Sequence, residues 1–152
     1  MNKLILGLLF SAAGFAQQAV SNADVVKLTQ SGLSEDFILK LIDTQGSQLS
    51  TDASSLVQLK KDGVHERVIT AITRKSPSRE KLNTDSILSL AKAGFTDSFV
   101  IDLMARQPGT YNTDASRLVE LKQAGLSERV LAKMVNQSGG RELVSEIGRA
   151  HV

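Results

Sequence analysis

Four tandem helix-turn-helix hairpins in 31-residue units are expected here, an all-α fold arranged as two similar four-helix lobes behind an N-terminal signal peptide. Three observations lead there. Gly32, Gly63, Gly94 and Gly125 follow one another at a constant interval of 31 residues. Apolar residues flank each of them at helical spacing. A closer similarity overlies the first at an offset of 62. Fixed periods of this size mark repeated supersecondary units.

The first element is the leader, "MNKLILGLLFSAAGFA". Lys3 gives it a basic start, an apolar stretch covers 4–13, and Gly14 and Ala16 suit the subsites of a signal peptidase cutting before Gln17. The apolar run is too short to cross roughly 30 Å of hydrocarbon, and polar "QQAVSNAD" follows at once. Residues 1–16 therefore predict export to the periplasm or beyond, with no stable membrane anchor in the mature chain. Losing Lys3 takes the formal charge from +2 to +1.

Ahead of each glycine stand an apolar pair and a third apolar residue, as in Val25, Val26 and Leu28 or Ile87, Leu88 and Leu90. Behind it come one apolar residue and a second stripe, as in Phe95 followed by Phe99, Val100, Leu103 and Met104. Spacings of i, i+1, i+4 and i+5 line one face of a helix. Strict alternation, the mark of a half-buried strand, appears over no useful length.

The phrase between the stripes, "SGLSEDF" in the first copy and "AGLSERV" in the last, stops one helix and starts another. Gly at C′ takes a positive φ without strain, and the apolar residue after it folds back on the helix it has left. Ser34, Thr96 and Ser127 then accept a bond from a free N–H of the next helix. Glu35, Asp36, Glu66, Asp97 and Glu128 sit in a first turn, where the helix dipole favours negative charge. His65 is the exception at the cap position and predicts a weaker turn in the second unit.

At an offset of 62, "TDASSLVQLKKDGVHERVI" matches "TDASRLVELKQAGLSERVL", with Thr51 and Thr113, or the residue before each, expected to cap the helices that follow. Paired copies divide the chain into a repeat pair at 17–75, a linker at 76–83 marked by Pro77, a second pair at 84–136 and a tail at 137–152. In the tail, Gly139-Gly140 is expected to break the register, with a brief helix over 141–147. "EIGRAHV" at 146–152 resembles the in-frame translation of a common sequencing adapter. That origin would make it foreign and place further chain downstream.

Composition narrows function by exclusion. With no Cys, disulfides, thiolate metal sites and Cys nucleophiles are impossible. No Trp and one Tyr make stacking platforms improbable. "LKQAGLSERVLAKMV" resembles a DNA-binding helix-turn-helix over about fifteen residues, yet any tight helical hairpin shares that grammar. Its second helix opens with an acid, and a net charge near +1 offers little counterion release. Nucleic acid is therefore not an expected partner.

No metalloprotease, nucleophile-elbow, Walker or EF-hand pattern occurs. Of the two histidines, His151 lies in the tail and His65 at a turn. No catalytic, cofactor-binding or metal residues are assigned. The alternative is a cell-envelope hydrolase whose acids converge between lobes.

Across 24–136 the grammar "D-x-x-x-L-x-x-x-G-[LV]-[ST]-[ED]" resembles tandem helical-hairpin repeats of exported bacterial proteins of unassigned function. The resemblance implies a scaffold, often set ahead of other domains, and supplies no catalytic residues. The expected activity is binding a protein or envelope polymer, or spacing domains, through positions that vary between units. Candidates are Arg74, Lys75, Arg79 and Lys81 along 74–81, and the inter-hairpin loops at 45–50 and 107–112, the second with Tyr111.

Overall fold

Each of the four glycines stands at positive φ, from +81° at Gly32 to +104° at Gly125, with one helix ending just before it and another starting just after. The computed structural model describes residues 18–45 and 47–149, with side chains up to 139. The leader at 1–16 and His151 lie outside them. In chain order the elements are β1 (Val20–Ser21), α1 (Asn22–Gln30), α2 (Glu35–Thr44), β2 (Ser47–Gln48), α3 (Ala53–Lys61), α4 (Glu66–Lys75), β3 (Leu82–Asn83), α5 (Thr84–Lys92), α6 (Asp97–Arg106), β4 (Gly109–Thr110), α7 (Ala115–Gln123) and α8 (Glu128–Arg149). The protein is mostly helical, with only two-residue strands among the described residues.

One hydrogen-bond pattern closes all four odd-numbered helices. Gly32 N–H donates to the Thr29 carbonyl at 3.1 Å and Leu33 N–H to Leu28 at 3.3 Å; Gly63 and Val64, Gly94 and Phe95, and Gly125 and Leu126 repeat both bonds. This is a Schellman closure, which satisfies carbonyls that a helix end would otherwise leave bare. Ser34, Thr96 and Ser127 hydroxyls each accept a backbone N–H three residues on, at 3.3 Å. His65 makes no side-chain cap bond; its Nδ1 instead meets the Glu35 carboxylate.

The opening of α3 differs from expectation. Asp52, not Thr51, is the cap, accepting the Ser55 N–H at 2.9 Å. Thr51 is buried and its hydroxyl donates to the Ser76 carbonyl. A carboxylate has two acceptor oxygens beside the helix start, so it serves the free N–H groups and leaves Thr51 to tie down the linker.

The strands pair in parallel, Val20 opposite Ser47 and Leu82 opposite Gly109. They were not anticipated, because two residues cannot display an alternating pattern.

Packing crosses the segment 76–83, where a boundary between lobes was expected. α3 packs on α5 and α4 on α6 across it, as α2 packs on α4 and α6 on α8. One apolar cluster runs from Val20 through Leu59, Ile72, Leu90 and Leu103 to Met134. The reason is visible in the linker: Leu82 is buried in that cluster, so 76–83 follows the core instead of bridging a gap.

The tail also departs from expectation. α8 continues without interruption through Gly139 and Gly140 to Arg149. Two glycines cost a helix interior roughly 2 kcal/mol relative to alanine, but they do not stop it where no turn closure intervenes.

Candidate functional site

A recess lies between α2 and α4. Leu39, Ile42 and Ala71 contribute its apolar surface, Thr70 a hydroxyl, and Asp43, Arg67, Arg74 and Lys75 its charges, around a volume of about 680 Å3. One period after Ala71 stands Asp102, and another period on stands Lys133. Between α4 and α6, Arg106 pairs with Asp102 one turn back on its own helix at 2.8 Å and reaches across to the Thr73 hydroxyl at 3.2 Å.

Each cation of the groove is held differently. Arg67 pairs with Asp36 at 2.9 Å and lies 3.8 Å from Glu35. Lys75 donates to the carbonyls of Ile42, Asp43 and Gln45, so its ammonium caps the C-terminal end of α2, where the helix dipole is negative. Arg74 is exposed and has no hydrogen-bond or ion-pair partner among the described residues. It is the uncommitted cation of the groove.

Of the positions singled out from sequence, the groove gathers Arg74 and Lys75. Arg79 and Lys81 are exposed on the linker outside it. Tyr111 is buried, only 6 % exposed. β4 holds Gly109 beside β3, and the Tyr111 ring folds over that glycine so closely that a Cβ there would lie 2.0 Å from the phenolic oxygen. Arg67, Thr70 and Ala71 were missed. Their signal was in the sequence, as variation at equivalent positions of the units.

Among the described residues two carboxylates depart from their ordinary acidity, and both sit at helix starts. Hydrogen bonds from the Ser21 hydroxyl (2.7 Å) and backbone N–H (3.0 Å) lower Asp24. Burial pushes Asp52 up, but bonds from the Ser54 and Ser55 hydroxyls and the Ser55 N–H outweigh it and leave Asp52 lowered. Both serve capping, and neither lines the α2–α4 groove, whose one carboxylate is Asp43.

Among the described residues no three His, Asp or Glu are placed to hold a metal ion, and no helix is long and apolar enough to cross a membrane. No family model, curated protein or solved structure matches the chain.

Proposed function

We propose that the chain is an exported helical-repeat module that binds a protein segment carrying apolar and acidic side chains in the groove between α2 and α4. The observation that carries this reading is the groove itself: an apolar floor beside Arg67 and an uncommitted Arg74. Magnitudes assign the roles. Burying one Leu-sized side chain contributes about 1.5–3 kcal/mol, whereas an exposed ion pair adds roughly 0.2–1 kcal/mol. Affinity then comes from the floor, and the cations select sign and register.

The fold reading that accompanies this is four 31-residue hairpins in one continuous stack. It is supported by the constant spacing of the odd helices and by the packing of α3 on α5. Export is supported by the basic, apolar and small-residue order of 1–16.

A photo-crosslinker at Thr70, tested in envelope extract against one at Gln48, examines the binding reading. A discrete adduct is expected from Thr70 alone, lost with Ala71→Trp, which fills the floor, and weakened by Arg74→Glu. Equal labelling from both positions, or an adduct indifferent to Ala71→Trp, would remove the groove as the site.

A further inference from the structure

The exposed large apolar residues of the described chain are Leu33, Phe37, Val119 and Val135, and their positions in the 31-residue period are informative. Phe37 is 49 % exposed, while its equivalents Val68, Phe99 and Val130 are 1 %, 4 % and 1 % exposed. Leu33 is 41 % exposed, while Val64, Phe95 and Leu126 are all buried. These positions are covered in every unit that has a predecessor and bare in the first. Val135 behaves conversely: it is 41 % exposed, while Ile42, Thr73 and Met104 are buried. That position is covered in every unit that has a successor. The stack therefore ends in the two unlike halves of the junction that joins its own two pairs of units, where α3 packs on α5 and α4 on α6.

Polar contacts also cross the first two junctions. At the first junction the Glu35 carboxylate meets His65, at the cap of α4. At the second, Glu66 accepts the N–H of Thr96, the cap of α6, at 2.9 Å. At the third junction no bond joins Asp97 to the Ser127 cap among the described residues, so the acid-to-cap contact belongs to two of the three junctions. Beyond them Glu128 is 85 % exposed in its side chain, with Lys122 at 3.4 Å, and at the other end the Ser34 cap is exposed.

We propose that copies of this chain associate head to tail, the α7–α8 face of one copy receiving the Leu33–Phe37 face of the next. The contact is heterologous, so it propagates into an open chain of copies unless its rotation closes a ring. It rests on the one-stack reading of the fold, not on the groove.

Sedimentation velocity of the full chain over rising concentration tests this, using Phe37→Glu and Val135→Glu. Both sites are already exposed, so neither variant buries a charge in the monomer, and far-UV circular dichroism checks that each folds. The wild type is expected to form a concentration-dependent series of oligomers. Each variant alone should remain monomeric at concentrations at least tenfold above that at which the wild type associates. An equimolar mixture should recover one intact junction and stop at a 1:1 dimer. A monomeric wild type, a variant that assembles normally, or a mixture that stays monomeric would overturn the proposal. A like-to-like contact would show as one variant assembling unaided. The groove reading is untouched by any of these results, because Thr70 crosslinking reports it separately.

Discussion

Gly94 and Gly109 are both irreplaceable, for opposite reasons. At Gly94 φ is +90° and a Cβ would meet no heavy atom within 4 Å, so the cost of a side chain is backbone strain alone, of order 1–3 kcal/mol. Gly94→Val should lower the melting temperature several times more than Gln48→Ala, an exposed change worth within about 0.5 kcal/mol. Gly94→Asn should fall between them, since Asn tolerates positive φ better than a β-branched residue. Equal melting temperatures for the three would remove the turn assignment. At Gly109 the obstacle is a rigid ring instead of φ: a new Cβ would stand 2.0 Å from the Tyr111 oxygen and 2.3 Å from Cζ. Gly109→Ala should therefore destabilise, and Tyr111→Ala in the same chain should relieve most of the clash without restoring the lost packing. The first kind of glycine was legible because its turn is local and recurs four times. The second was not, because the Tyr111 ring reaches Gly109 only once β4 has paired with β3.

Helices could be read from a stripe of apolar residues that persists for nine or ten positions; the strands could not, since two residues hold no period. Caps lie between these cases. Ser34, Thr96 and Ser127 follow directly after a recognisable Gly turn, whereas Asp52, and Asn83, which accepts the Ser86 N–H at 2.8 Å at the start of α5, follow irregular linkers, where which residue stands at the helix start depends on packing further away. Asp52 makes the capping chemistry measurable. Its carboxyl is held below the ordinary value in the folded protein, so it favours the folded state above the unfolded carboxyl pKa of about 3.9. That contribution is lost as pH falls through the lowered folded value. Asp52→Asn keeps a cap acceptor but removes the titration. The variant should be less stable than wild type near pH 6, by roughly 0.3–1 kcal/mol, the worth of a negative charge at a helix N-terminus, and the difference should shrink as acid protonates Asp52 in the wild type. Urea melts at stepped pH measure it; a gap that stays constant down to pH 2 would show that the charge does not contribute.

The relation between halves is the feature in which sequence similarity and packing diverge. The 62-residue likeness and Pro77 suggest two lobes, because evolutionary pairing of copies leaves a mark in sequence whether or not the copies separate in space. What decides separation is whether apolar faces are left over, and here α3 and α5 bury theirs against each other across 76–83, with Leu59 and Leu90 in the same cluster. A shared core predicts shared unfolding. Tyr111 is the single Tyr and there is no Trp, so its intrinsic fluorescence reports the second half alone while far-UV circular dichroism reports all eight helices. The two signals should give one coincident urea midpoint. Leu59→Ala removes a buried side chain from the first half, at a cost of about 2–5 kcal/mol. In a continuous stack this should move the Tyr111 midpoint together with the circular dichroism midpoint. Independent lobes would instead leave the Tyr111 transition in place while the helical signal split in two, since a cavity in one lobe has no energetic route to the other. A nearest-neighbour array also allows an intermediate outcome, in which a destabilised first half frays before the rest. That outcome leaves a lagging Tyr111 midpoint that still shifts, and the size of the shift measures the coupling across α3 and α5.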